Sequence, residues 1–468
     1  MYTQNNVIDL LMSKKSAVVI GLGISNVPLV RFLCKLGVSV IACDKKSTDQ
    51  VSCADELLAS GVSLSLGDDY LSPLKDGDHV IFRSPGIRPD IPEISDALLR
   101  GCSLSSEMEL FFELCPAKII GITGSDGKTT TTTITYKLLE LECKKSGKGN
   151  VYVGGNIGAP LLPLVDKMTS DDFAVVELSS FQLMTMKKSP EISVITNITP
   201  NHLNWHTDMQ EYKDAKLNIL SSECKKLITN FDCEETSGIS SSDTDIVFFS
   251  RKTQPPSNNA VFFEDDTIFI KKQSNTKEIL KKSDILLPGM HNVENYMAAI
   301  AATSEFVSKE TINEIAATFP GVEHRCEFVR ELDGVKYYNS SIDSTPTRTA
   351  AALSSFDKKL IVIIGGRDKH LDLAPLAKTL CEKAKAVILT GESIDMVKKA
   401  LDACPDYQQS NLTVAIKEDF EEAVKHSHHM AQSEDIVILS PAFTSFDRFN
   451  NFEERGRLFK KVVNDLDK

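Results

Sequence analysis

The segment Gly121-Ile-Thr-Gly-Ser-Asp-Gly-Lys128-Thr-Thr-Thr-Thr132 constrains this chain more than any other. It follows the apolar run Ala117–Ile122, which suits a short buried strand, and leads into a helical pattern over Thr130–Glu142. Strand, glycine turn and helix in that order make a phosphate cradle and point to an α/β layer architecture. Glycines let backbone N–H groups close on a phosphate, and the helix start adds partial positive charge. On this reading Gly124, Ser125, Asp126, Gly127 and Thr130 line the cradle. Lys128 reaches the terminal phosphates, and the Thr129 hydroxyl ligates Mg²⁺. The glycine usual at the head of such a loop is replaced by Ile122, so Gly121 and Gly124 supply the flexibility. The alternative is a plain turn before an ordinary helix.

With 468 residues the chain is too long for one core and divides into three segments. In the first, the strand Ala17–Gly23 ends in glycines, a helical stretch follows over Val27–Leu36, and a second strand, Val38–Ala42, delivers Asp44. This is a βαβ opening with its acid about 20 residues after the glycines. Asn26 stands where the third glycine of a dinucleotide fingerprint belongs. The pattern therefore supports the phosphates or ribose of a nucleotide near Gly21, Gly23, Ile24 and Ser25, but not NAD in particular. A second glycine turn, Ser84-Pro85-Gly86, follows the strand Val80–Phe82, and the segment ends near Ser106.

The second segment alternates strand and helix signals to Thr199 and ends near Gly321. Its later runs, Asp245–Phe249 and Ala260–Lys271, predict an antiparallel addition with Asp265-Asp266 as a hairpin turn. In the third, the runs Leu360–Ile364, Ala386–Thr390 and Asp435–Leu439 end at small or turn-forming residues. The loops Gly365–Asp372 and Ser440–Asn450 are where a second substrate belongs, because open α/β sheets bind ligands at strand carboxyl ends. The expected fold is thus α/β in three domains. A Rossmann-like domain spans 1–106, a phosphate-loop ATPase domain with an added antiparallel sheet spans 107–321, and a second Rossmann-like domain spans 322–468.

A net charge of −13 argues against nucleic-acid or anionic-membrane partners. The 11 cysteines are scattered without a Cys-x-x-Cys pair, which fits a reduced setting better than a disulfide or zinc framework. No apolar run approaches a membrane span, and the N-terminus lacks a signal-peptide pattern. A cytoplasmic protein is expected.

Ala174-Val-Val-Glu177 is an apolar strand ending in an acid, which alone reads as a solvated edge residue but beside Lys128-Thr129 reads as the Mg²⁺ ligand that phosphate-loop enzymes keep there. His202 and His206 are spaced one helical turn apart, and such a pair is otherwise structural or solvated. Lys213 and Lys216 stand three apart on a predicted helix. By default they form a charged surface. A desolvated amine, however, loses its proton and takes up CO₂ to become a metal-binding carbamate. Asn292 and Asn295 open another helix, either as caps or as readers of an adenine edge. His426, His428 and His429 read as a polar helix face rather than a metal tract.

In this order the pieces resemble the Mur ligases of bacterial cell-wall synthesis, over essentially the whole chain. The phosphate loop and His291-Asn-Val-Glu-Asn295 carry the likeness. So do Gly154-Gly-Asn156-Ile-Gly158, Glu177-Leu-Ser-Ser-Phe-Gln182-Leu, Asn197-Ile-Thr-Pro-Asn-His202, Ser440-Pro-Ala-Phe-Thr-Ser-Phe446-Asp and Asn451-Phe452-Glu-x-Arg-Gly456. The resemblance implies ATP-dependent addition of D-glutamate to UDP-N-acetylmuramoyl-L-alanine through an acyl phosphate. It implies small-molecule partners only, with no nucleic acid and no membrane, and a monomer. Carried over by position, Gly21, Gly23, Ile24, Ser25, Asp44, Lys45 and Gly86 would hold the uridine diphosphate, and Asn156, Ser179 and His202 the muramoyl-alanine end. Gly124 to Thr130, Asn292, Asn295 and Arg325 would hold ATP. Thr129, Glu177, His202 and a carbamylated Lys216 would ligate two Mg²⁺ ions, with Lys128, Glu177, His202 and Lys216 catalytic. Ser344, Lys369, Ser445, Phe446 and Phe452 would form the D-glutamate pocket.

Two departures stand out. Ser340 replaces an acid expected near the ATP ribose, with Asp343 close by to substitute in part, and Asn204 replaces an Asp. Both point to a weaker ATP or metal site. The rival readings are a folate-polyglutamate ligase, a nicotinamide-dependent oxidoreductase resting on Gly21-x-Gly23 and Asp44, and a nucleotide-binding regulator without turnover.

Overall fold

The computed structural model describes residues 11, 13–220 and 223–466. The outermost ends of the first and third segments, including the N-terminal stretch read against a signal peptide, lie outside the described residues. By compactness the chain forms two units. The first runs to Lys282 and adds Glu294–Ile315; the second holds Ser283–Val293 and Ala316–Lys468.

The first unit contains two sheets. One has five parallel strands in the order β3-β2-β1-β4-β5: β1 (Ser16–Ile20), β2 (Val40–Asp44), β3 (Ser63–Leu66), β4 (His79–Arg83) and β5 (Ser103–Ser105). β1 and β4 are buried along their whole length, as central strands of a parallel sheet must be. β1 ends in the Gly21 turn (φ 87°), where a Cβ would lie 2.9 Å from that of Ser84, so the two glycine turns can pass only without a side chain. Asn26 is 1% exposed and its amide donates to the carbonyls of Ile20 and Gly21 at 3.1 and 2.9 Å. It staples the turn from within. That is a physical account of an asparagine in the third glycine's place.

The second sheet has nine strands in the order β14-β13-β12-β11-β10-β9-β6-β8-β7. These are β6 (Lys118–Thr123), β7 (Val151–Gly155), β8 (Phe173–Glu177), β9 (Ile192–Ile195), β10 (Lys226–Asn230), β11 (Asp245–Ser250), β12 (Asn259–Glu264), β13 (Thr267–Lys272) and β14 (Asn275–Lys281). β11 pairs in parallel with both β10 and β12, which corrects the expectation that Asp245–Phe249 belongs to the antiparallel addition. Only β12 to β14 run antiparallel. β-branched and aromatic content marks a strand but not its direction. Asp265 and Asp266 form the two-residue turn between β12 and β13, both with positive φ, 45° and 55°.

The second unit carries a six-stranded sheet, β15-β16-β20-β17-β18-β19, parallel except for the β15–β16 hairpin. Its strands are β15 (Glu327–Leu332), β16 (Val335–Asn339), β17 (Leu360–Gly365), β18 (Ala384–Thr390), β19 (Thr413–Ile416) and β20 (Ile436–Leu439). Alternate residues of β17 enter opposite cores. Val362 and Ile364 pack with Leu353, Leu376 and Leu380, whereas Ile361 and Ile363 pack with Phe420, Phe459 and Val463. Three α/β domains are therefore present, each with its sheet. Among the described residues no helix is long and apolar enough to cross a membrane.

Candidate active site

The phosphate loop leaves the carboxyl end of β6, and its helix runs Lys128–Ser146, two residues earlier than the pattern predicts because Gly127 is the N-cap (φ 77°). Gly124 (φ 151°) has no room for a side chain, since a Cβ would stand 1.9 Å from Thr196 Oγ1. The loop after β9 braces it. Thr196 Oγ1 donates to the Asp126 carbonyl at 2.6 Å, and Asn197 Oδ1 accepts from Asp126 N at 2.9 Å. Ser125 Oγ donates to the Thr199 carbonyl at 2.8 Å and lies 2.8 Å from the Tyr212 hydroxyl. Lys128 Nζ curls back to the carbonyls of Gly124 and Ser125, both at 2.9 Å, and Thr129 and Thr130 open the helix half-buried.

Glu177 ends β8 at 1% exposure. Its Oε1 accepts from the exposed Asn156 amide at 2.9 Å, while its buried Oε2 has no hydrogen-bond partner among the described residues. A buried carboxylate oxygen without a donor is costly, and a cation satisfies it. Lys216 is likewise 1% exposed. Its Nζ donates to the Gly124 carbonyl at 2.7 Å and lies 4.8 Å above the Tyr212 ring. Both lysines thus share one carbonyl of the loop. Burial, then repulsion from Lys128, brings the Lys216 amine down to about 7. Lys213 instead pairs with Glu235. The sequence spacing left these two lysines equal; burial separates them.

His202 and His206 are not on a helix, contrary to their spacing, because the chain turns through 203–208 before the helix Met209–Leu217 begins. His202 is exposed, has a left-handed backbone (φ 55°) and meets Phe181 edge-on at 4.9 Å. Partial desolvation of its ring against neighbouring groups, then repulsion from Lys128 and Lys216, lowers its pKa although the residue as a whole is exposed. His206 is buried between Glu211 and Ser180. Asn204 is exposed. Ser179 caps the helix Ser180–Leu183 in a capping box with Gln182.

At the first sheet, Asp44 accepts the backbone N–H groups of Leu22 and Lys46 at 2.7 and 2.9 Å, so its carboxylate closes the glycine turn. Ile24 is 84% exposed, Lys45 and Gly86 are exposed, and Ser25 precedes the helix Asn26–Lys35 without capping it by its side chain. Asn295 Oδ1 accepts from Thr131 Oγ1 at 3.2 Å and sits under Gly127.

In the second unit Asn292 donates to the Pro288 carbonyl at 2.7 Å, Arg325 is exposed and Ser344 is half-buried. The two post-strand loops meet through the Arg367–Thr444 bridge, with Lys369 exposed, Ser445 buried and Phe446 60% exposed. Phe452 packs edge-on against His324 at 5.9 Å. Arg455, given no role from the sequence, is 2% exposed and donates to the carbonyls of Ser341, Phe443 and Gly365 at 2.9, 3.2 and 3.3 Å. It ties together the loops after β16, β17 and β20, and an arginine beside a glycine in the last helix was its only sequence signal. Ser340 is fully buried and its Oγ accepts from Cys326 N at 3.1 Å. Asp343 is buried and accepts from Ser440 Oγ at 2.8 Å; burial, partly offset by that bond and one from Ser340, pushes its carboxyl up to about 6. Among the described residues no group of three His, Cys, Asp or Glu is placed to hold a metal, and His428 instead meets the Tyr337 hydroxyl at 2.7 Å.

Fold and site define a phosphate-loop α/β protein of three domains, in which a buried acid at a strand end and a buried amine on a helix lie at the loop. Residues 15–106 match the Mur ligase MurD-like N-terminal domain, 122–303 the Mur ligase middle domain, and 324–443 the Mur ligase glutamate ligase domain. The chain belongs to the Mur ligase family. It is 47% identical to the UDP-N-acetylmuramoylalanine–D-glutamate ligase of Ruminiclostridium cellulolyticum over 97% of both chains. It is 44% identical to that of Acetivibrio thermocellus over the full length of both. Among solved structures, UDP-N-acetylmuramate-alanine ligase MurC of Thermotoga maritima superposes with a TM-score of 0.54 at 19% identity, covering 96% of this chain and 99% of that one. A UDP-N-acetylmuramoyl-L-alanyl-D-glutamate–2,6-diaminopimelate ligase gives 0.56 at 17%, covering 92% and 93%. Both likenesses bear on the fold.

Proposed function

We infer that this chain is an ATP-dependent ligase that joins D-glutamate to UDP-N-acetylmuramoyl-L-alanine in peptidoglycan precursor synthesis. The geometry that carries the inference is the Lys216 amine, buried against the phosphate-loop carbonyl of Gly124, together with the Glu177 Oε2 at the end of β8 that lacks a partner among the described residues. The identity of the acceptor follows the full-length relatives, whose names specify D-glutamate.

The γ-phosphoryl group of ATP passes to the alanine carboxylate, giving an acyl phosphate and ADP. The D-glutamate amine then attacks the acyl carbon, and phosphate leaves from the tetrahedral adduct as the amide forms. Lys128, drawn off its own loop carbonyls by phosphate oxygens, neutralises charge that develops in the first step. Mg²⁺ would be held by Thr129, Glu177, His202 and Lys216 as its carbamate, and would offset the repulsion between polyphosphate and carboxylate. The orphaned Glu177 oxygen and the near-neutral Lys216 amine fit that role.

The remaining assignments form part of the same reading. Gly21, Gly23, Ile24, Ser25, Asp44, Lys45 and Gly86 take the uridine diphosphate, and Asn156, Ser179 and His202 the muramoyl end. Asn292, Asn295 and Arg325 take the nucleoside of ATP, and Ser344, Lys369, Ser445, Phe446 and Phe452 take D-glutamate. The domains divide at 106/107 and 321/322, and the chain works as a cytoplasmic monomer. Phosphate release that requires both UDP-N-acetylmuramoyl-L-alanine and D-glutamate is the expected result. Phosphate released from ATP regardless of either substrate, or none at all with both, counts against the ligase.

A further inference from the structure

Arg88 stands two residues past Gly86, on the loop leaving β4, and its guanidinium grips the central domain. Nη2 and Nη1 donate to Glu211 Oε1 and Oε2 at 2.8 and 3.1 Å, and Nη1 also donates to the Trp205 carbonyl at 2.8 Å. Asp90 holds the other edge of the fork through two bonds of 2.8 Å. The fork lies 5.0 Å from the centre of the Trp205 ring, whose Nε1 donates to the Gly86 carbonyl at 3.3 Å. Glu211 Oε2 accepts from Thr207 N at 2.9 Å and lies 3.1 Å from His206 Nδ1. His206 Nε2 in turn is 2.9 Å from Ser180 Oγ. Phe181 fills the middle, 4.6 Å from Trp205 and 4.9 Å from His202.

The segment that carries His202 is therefore held on one side by the Gly86–Arg88 loop and Glu211, and on the other by Ser125 and Asp126 of the phosphate loop. His202 itself keeps a left-handed backbone, φ 55°, a conformation uncommon outside glycine. Glu211 shares the helix Met209–Leu217 with Lys216, so one short element answers both to the first sheet and to the phosphate loop. The hydrogen bonds from Arg88 hold the Glu211 carboxyl down at about 2, so the pair stays charged wherever the protein is folded.

We propose that Arg88 and Glu211 are a positioning pair that couples occupancy of the Gly86 loop by the uridine nucleotide to the seating of His202 and Lys216 beside the phosphate loop. This rests on the ligase reading above. An inert clamp between domains would support stability equally well, so the distinguishing quantity is the coupling between two ligands. Lysine cannot replace Arg88, because the three donors of an ammonium are too few and wrongly placed for the five hydrogen bonds of the guanidinium fork.

The test is titration calorimetry of Mn²⁺–ADP binding to the full chain, with and without UDP-N-acetylmuramoyl-L-alanine. In the native chain the uridine substrate is expected to tighten Mn²⁺–ADP binding by about five-fold or more. In Arg88→Lys and in Glu211→Gln, which keeps the side-chain shape, the tightening falls below about two-fold while each ligand alone binds within about three-fold of native. The double variant loses no more than either single, as expected for one shared contact. Coupling that survives in both single variants overturns the proposal. So does a native chain that binds both ligands independently, even while its phosphate release upholds the ligase. A native chain that releases no phosphate sinks the ligase reading instead, and the two failures are told apart by that assay.

Discussion

Lys216 is a cation's side chain placed where a cation is unwelcome. Its folded pKa is depressed from the ordinary 10.5 to about 7, so between those values the unfolded chain binds the extra proton and stability rises with pH. The burial cost is present in full below about pH 7 and gone above about 10.5. Lys216→Met, denatured by urea in CO₂-depleted buffer, should gain on the order of 3 kcal/mol at pH 6, and the gain should shrink steadily toward pH 10. The same replacement of the amine must destroy turnover. Lys216→Ala is expected to lose phosphate release, with partial return when acetate is added, and full activity without acetate would defeat the carbamate. Burial decides what Ser340 tolerates as well. An aspartate there would be fully buried beside Asp343, whose carboxyl already resists ionisation. Ser340→Asp should therefore cost on the order of 3 kcal/mol of stability in thermal melts, while ATP titration of the same variant tests the weaker ATP site expected from the sequence. Burial is the variable that separates Lys216 from Lys213 and makes Ser340 intolerant, and no spacing of residues encodes it.

At the scale of elements, the phosphate loop was legible because strand, glycines and helix are consecutive and each is set by local chemistry. Gly124 makes the point testable. A methyl at its Cβ position collides with Thr196, so Gly124→Ala should weaken ATP binding by at least about a hundredfold, read by nucleotide titration. The hairpin turn was legible for a similar reason, yet its residues are not optimal. Asp265 and Asp266 both occupy positive φ at the edge of the nine-stranded sheet, where glycine is at ease. Asp266→Gly should stabilise the chain by about 0.5–1 kcal/mol in urea melts and leave activity unchanged. What depends on distant partners was not legible. The direction of β11 is set by β10 and β12, and the buried work of Arg455 is set by three loops that lie far apart in sequence.

For the molecule as a whole, the first unit must hold two sheets together, and Arg83 shows how. It is the last residue of β4 and 1% exposed, with burial pushing its guanidinium down to about 10. Within its own domain it donates to the carbonyls of Pro85 and Ile87 at 3.1 and 2.8 Å; across the divide it reaches the Phe181 carbonyl at 2.7 Å and Thr185 Oγ1 at 3.1 Å. One side chain thereby fixes the Ser84–Gly86 turn and anchors the short helix Ser180–Leu183 that follows Glu177. An apolar replacement strips donors from carbonyls that remain away from water, and a lysine supplies too few. Arg83→Met should therefore lower stability by about 3–5 kcal/mol. It should also broaden the calorimetric transition of the first unit, because one of the hydrogen-bonded ties between the five-stranded and nine-stranded sheets is lost. A transition of unchanged width and midpoint would mean that the Arg88–Glu211 pair and the apolar packing between the sheets carry their union without it.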